Sequence, residues 1–165
     1  MTRLRWRVPV LALAAVCWGT TLAAQEALAT AVMNARVSLG RGLAASTSRG
    51  QPISAKFEMH ESKLQLSVYT AKDGKFFEVV VDHASGGVLE TEPITEGEDF
   101  TAAQSQSAAM AKATVSLRAA VQKALGSNAG FRAVSVFPSL KDDRPVAEVT
   151  LVRGEEVKTV SVPLR

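Results

Sequence analysis

The chain has 165 residues, a single cysteine and a formal charge of +3. Nineteen Lys and Arg, less the three at Arg3, Arg5 and Arg7, leave sixteen against sixteen Asp and Glu, so the body of the chain is neutral and gives no electrostatic footprint for nucleic acid. One cysteine excludes an internal disulfide, and its place, Cys17, lies in a segment expected to be removed.

That segment is residues 1–24. Arg3, Arg5 and Arg7 precede an apolar run over Val8–Leu22, and Thr21-Leu22-Ala23 and Leu22-Ala23-Ala24 both offer small residues where a signal peptidase reads. Charged start, apolar middle and small-residue exit spell a secretory signal, cleaved near Ala23–Ala24. The run is shorter than the roughly 20 residues of a spanning helix, and Pro9 and Gly19 interrupt it. Contact with a membrane is therefore expected only through this segment, if it stays uncleaved. Val16 before Cys17 is not the small residue of a lipoprotein signal, so Cys17 leaves with the leader. A periplasmic or secreted location follows. The remaining 141 residues (165 less 24) suffice for one ordinary domain or two very small ones.

Gln25–Ser48 reads as one helix, with Leu28, Val32, Ala35, Leu39 and Leu43 on a single apolar stripe. Gly40 and Gly42 in it mark either close packing against a sheet or early fraying. Gly50 and Pro52 stop it. Three strands follow. Ile53, Ala55, Phe57 and Met59 alternate with polar residues, as do Leu64, Leu66 and Val68, then Phe77, Val79 and Val81. His60–Lys63 and the Asp73-Gly74 turn link them as hairpins.

Glu90–Asp99 holds five acids, no base, Pro93 and Gly97, and reads as an acidic linker over 91–100. Thr101 is a plausible cap for a second helix, Thr101–Leu125. Phe131–Phe137 is a strand, 138–145 a polar loop, and two further strands carry Ala147, Val149 and Leu151, then Val160 and Val162.

The order is thus helix and three strands, twice. Ala35-Arg36-Val37-Ser38-Leu39 returns as Ala113-Thr114-Val115-Ser116-Leu117, 78 positions on, and at that offset Ile53 falls on Phe131 and Ala55 on Ala133. The expected fold is α+β: two tandem α-β-β-β units, 25–90 and 101–165, each a helix packed on an antiparallel sheet, docked face to face or through a joined sheet edge.

The segment Phe76-Phe77-Glu78-Val79-Val80-Val81-Asp82-His83-Ala84-Ser85-Gly86-Gly87-Val88-Leu89 resembles the last strand and closing turn of a PepSY domain, with its aromatic, polar and valine pattern before Asp-x-x-x-Gly. The resemblance covers residues 28–90; the second copy, 105–165, shares element order but has no Asp-x-x-x-Gly. It implies a secreted or envelope protein that restrains or assists a peptidase. No peptidase follows here, so a freestanding form is expected to act in trans.

His60 and His83 are the only histidines. Glu58 and His60 share one strand face, and with His83 they could ligate zinc if a third ligand came into register; a solvated strand face is the plainer account. Asp82 has a turn role: its side chain can accept backbone N–H bonds while Gly86 or Gly87 takes the positive φ. No serine sits in a Gly-x-Ser-x-Gly elbow, and Gly40-Arg41-Gly42 lacks the strand and the Lys-Ser/Thr of a phosphate loop. The expectation is a non-enzymatic exported binding module with no cofactor and a protein partner, a peptidase among the candidates. The alternatives are a metal- or small-ligand-binding protein using His60 and His83, and a structural envelope protein. Either sheet edge could pair with an extended peptide.

Overall fold

The computed structural model describes residues 22–165. The leader up to residue 21, with Cys17, lies outside them, and Leu22–Ala24 open the first helix. The fold is α+β: four α-helices among the described residues and one antiparallel sheet of seven strands in the order β4-β3-β2-β1-β5-β6-β7. The elements are α1 (Leu22–Asn34), α2 (Leu39–Ala45) with a 3-10 turn at Ser46–Arg49, β1 (Gln51–His60), β2 (Lys63–Lys72), β3 (Lys75–Val81), β4 (Val88–Ile94), α3 (Gly97–Ala111), α4 (Leu117–Gly126), β5 (Arg132–Lys141), β6 (Arg144–Arg153) and β7 (Glu156–Pro163). No helix among these is long and apolar enough to cross a membrane.

Each long helix expected from periodicity is two helices. Ser38 breaks the first: it adopts an extended conformation and its hydroxyl accepts the Arg41 N–H at 3.2 Å, capping α2 afresh. Ser116 breaks the second in the same way, accepting from Ala119 at 3.2 Å to cap α4. The repeated pentapeptide is this cap. Val37 N–H bonds to His83 O at 2.9 Å and Val115 N–H to Leu164 O at 3.0 Å, so each breaking loop hangs on the chain leaving a strand. Ala35, Val37, Leu39 and Leu117 are buried around it.

Residues 91–100 are not a free linker. Val88–Ile94 pairs with β3, and Gly97 starts α3, with Glu98 and Asp99 in its first turn where the helix dipole favours acids. Pro93 is tolerated because β4 is an edge strand. Thr101 is not the cap; it lies inside α3 and donates to Gly97 O at 3.3 Å. The expected loop over 138–145 is instead a tight hairpin. Asp142 and Asp143 take positive φ of 50° and 61°, which short polar side chains allow, and β5 runs through Pro138. The proline fits because β5 meets β1 only at Ser135 and Val136, leaving its later N–H groups on that side without a ladder.

The same pairings recur 81 positions on. The β1–β2 ladder closes at His60–Lys63 and β5–β6 at Lys141–Arg144; β2–β3 closes at Lys72–Lys75 and β6–β7 at Arg153–Glu156. Irregularities fall at Pro52/Ser54 and Ala133/Ser135. Ala55 faces Val136, its own counterpart at that spacing. Ile53 therefore matches Val134, not Phe131, and Ala55 matches Val136, not Ala133.

A single core lies on the inner face, where Ala55, Phe57, Leu66, Val68, Val79, Val136, Val149 and Leu151 are buried beneath α2 and α4. Of the two dockings expected the sheet shows the joined edge, β1 against β5, and what is corrected is one helix per unit on one face. The sheet is continuous, and its outer face is crossed by the other two helices. α3 starts over β3, where Phe100 meets the Phe76 ring edge-on at 5.5 Å, passes β1, where Ser54 Oγ donates to Gln106 at 2.7 Å, and ends where Lys112 pairs with Asp143 in the β5–β6 turn. α1 starts beside the β6–β7 hairpin and ends at the loop held by His83. Each therefore spans both halves of the sheet.

Candidate functional site

The turn after β3 is built on Asp82. Its carboxylate accepts Ala84 N–H at 2.7 Å, Ser85 N–H at 3.4 Å and the Ser85 hydroxyl at 3.0 Å. Those bonds, the Ala84 N–H foremost, hold its carboxyl below the usual range. Asp82 and Gly87 close the turn through their backbones at 2.8 Å, and Gly86 alone of the two glycines takes a positive φ, +82°. A Cβ on Gly86 would come within 3.0 Å of Arg41 Nε, so the turn is also a seat for α2.

The histidines stand apart from such chemistry. His60 ends β1 opposite Lys63, and His83 acts through its carbonyl. Glu58 is held elsewhere: its carboxylate pairs with Lys56 at 2.7 Å and accepts the Ser67 hydroxyl at 3.1 Å. Among the described residues no group of three or more His, Cys, Asp or Glu side chains is placed to hold a metal ion, so Glu58, His60 and His83 are not brought together as a ligand set.

What converges instead is a polar cluster on the outer face under the start of α3. In the register, Tyr69 lies between Ser54 of β1 and Glu78 of β3, and Lys56 lies opposite Ser67. Gln65 Nε2 donates to Ser67 at 3.0 Å, and the Lys56 ammonium sits 5.9 Å from the Tyr69 ring centre. Tyr69 is 8% exposed. Its burial, then the charges of Glu78, Glu58 and Asp99, push the phenol up, so it remains a protonated donor at any physiological pH. Burial also raises the Glu78 carboxyl, and raises Asp99 against the pull of Lys56. Glu58, Glu78, Lys56 and Asp99 thus make a charged joint between α3 and the sheet. They offer no nucleophile with an oriented base.

The other end of the outer face is open. Leu22, Gln25, Glu26 and Ala29 of α1, with Glu155 and Val157 of the β6–β7 hairpin, line a cavity of about 350 Å³. It adjoins β7, whose outer edge carries no paired strand among the described residues. Thr159 and Ser161 on that edge strand are exposed.

No family model matches the chain, and no curated protein matches it in sequence. Among solved structures, a Clostridium difficile 630 protein described as a putative lipoprotein is similar over 73% of this chain and 79% of its own, at 12% identity and a TM-score of 0.43. A likeness that slight carries no argument about fold or function.

Proposed function

We propose that this chain is an exported, non-enzymatic, PepSY-like binding module that engages a protein partner, with a peptidase of the envelope as the leading class. It is built as two tandem units joined through β1 and β5. The recurrence of pairing, irregularity and turn at a spacing of 81, and of the serine cap at 78, supports the duplication. The leader pattern of residues 1–24 supports export. The observation that carries the binding reading is a β7 edge unpaired among the described residues beside an open cavity, a combination that accepts peptide backbone and side chain together.

Crosslinking tests it. Tagged protein is crosslinked in envelope extract, the adduct identified by mass spectrometry, and the partner rebound as purified protein. A saturable complex with one protein, and a change in that protein's activity when it is a peptidase, is the expected outcome. Failure to recover any specific partner, with envelopes that leak when the gene is deleted, would replace this reading with a structural one.

A further inference from the structure

We infer that β7 and the cavity beside it together bind an extended segment of the partner, added antiparallel to β7, with one long cationic side chain, arginine or lysine, entering the cavity. The inference rests on the protein-partner reading above and specifies its site.

The chain contains its own template. β3 and β7 occupy matching places, with Val79 answering to Val160 and Val81 to Val162 at the spacing of 81. On β3 the corresponding edge is filled: β4 pairs along it, setting Ile94 opposite Phe76, Glu92 opposite Glu78 and Glu90 opposite Val80. Along the outer edge of β7 no strand pairs among the described residues. Leu164 O is taken by Thr114 and Val115 N–H at 2.8 and 3.0 Å, and Arg165 Nε bonds to Lys112 O at 3.1 Å, which leads the backbone under the α3–α4 loop. Natural edges are guarded by outward charge and proline, as β4 is by Glu90, Glu92 and Pro93. β7 carries its exposed charge and proline, Glu156 and Pro163, only at its two ends, and Lys158 between them lies 4.0 Å from the Phe131 ring centre. Thr159 and Ser161 are left, neutral and exposed.

The cavity has a template too. Its twin lies at β3, where the rings of Phe76 and Phe100 meet and Ile94 closes the side. At the matching positions beside β7, Val157 replaces Phe76, and the counterpart of Phe100 is Leu22, which leaves with the leader, so two rings are gone. Glu26 replaces Gln104 and Glu155 replaces Gly74, so two carboxylates are added. The result is space with an apolar floor of Ala29 and Val157 and an acidic rim. A long cationic side chain fits both, its stem on the floor and its head at the rim. The residue opposite Val157 in an added strand stands where Ile94 stands on β3, so its side chain is directed to this same face.

The test uses the purified protein and three synthetic peptides copying residues 86–95: unchanged, Ile94→Arg and Ile94→Glu. The Ile94→Arg peptide should bind about tenfold tighter than the Ile94→Glu peptide, as a gained charge-assisted pair implies. It should slow hydrogen exchange in β7, and it should lose that advantage against a Glu26→Gln/Glu155→Gln protein, whose substitutions at exposed positions leave the fold intact. Equal affinity of all three peptides, tightest binding by the unchanged peptide, or protection of β4 in place of β7 overturns the inference. So does a concentration-dependent dimer that protects β7 without peptide. A natural partner that binds the double variant as well as the parent sinks this inference and leaves the protein-partner reading standing; absence of any partner sinks both.

Discussion

Gly42→Ala should destabilise the protein while Gly40→Ala, two residues away in the same helix, should stabilise it. In an unpacked helix, glycine to alanine gains about 0.8–1 kcal/mol from reduced backbone freedom. A Cβ on Gly40 finds its nearest neighbour, Arg118 Cγ, at 4.0 Å, so the gain is kept. A Cβ on Gly42 falls 2.5 Å from Leu66 Cδ2 and 3.1 Å from Leu66 Cγ. Leu66 is 0% exposed, so its side chain has to shift within the core to admit that Cβ. Overfilling a core costs about 1–3 kcal/mol, which outweighs the helix gain and leaves a net loss of about 1 kcal/mol. The two alanines should thus differ by about 2 kcal/mol in urea unfolding at unchanged m. A Leu66→Ala background, itself costing about 2–5 kcal/mol, should turn Gly42→Ala neutral or favourable, because the obstruction is gone. Equal stabilisation by both alanines in the parent would refute the seating of α2 on β2.

Thr70→Val should raise stability by about 1 kcal/mol, since the buried Thr70 hydroxyl has no hydrogen-bond partner and valine keeps its shape; a loss in denaturant midpoint would mean the hydroxyl is in fact bonded. Ser38→Ala and Ser116→Ala should each cost about 1 kcal/mol and to a similar degree, read by thermal unfolding, because each removes one cap. Glu78 has a folded pKa raised from its ordinary 4.5, so the folded state holds extra proton in the window above 4.5 and stability falls as pH rises through it. Glu78→Gln should flatten that slope, and an unchanged slope would remove Glu78 from the joint. Asp82 works in the opposite sense: lowered from 3.8, its contribution is present above 3.8 and is lost as pH falls through its folded value, so Asp82→Asn should weaken the dependence seen in strong acid.

Much of the fold is legible because alternation survives in the strands: the apolar sets of β1, β2, β6 and β7 point inward as their period of two demands. The recurring cap is legible in the pentapeptide for a physical reason, since one serine and two apolar neighbours cap a helix and anchor its loop at both places. Helix breaks were hidden because the apolar stripe runs unbroken through Ser38 and Ser116. β4 was hidden because glutamates and a proline are what an edge strand carries and also what a linker carries. The outer face was misread as solvated. Its signal is present in Phe76-Phe77, since adjacent aromatics on a strand require both faces to be covered. The cavity required knowing which helix crosses to which half, and no local pattern states that.

The account's central claim is that a partner's backbone lies along β7. A photo-crosslinking residue in place of Thr159, exposed on that edge, tests it in intact cells. One discrete adduct, suppressed by competing Ile94→Arg peptide, is the expected result. An adduct formed only when the same reactive residue replaces Glu92 on β4, or none at either edge, would contradict it.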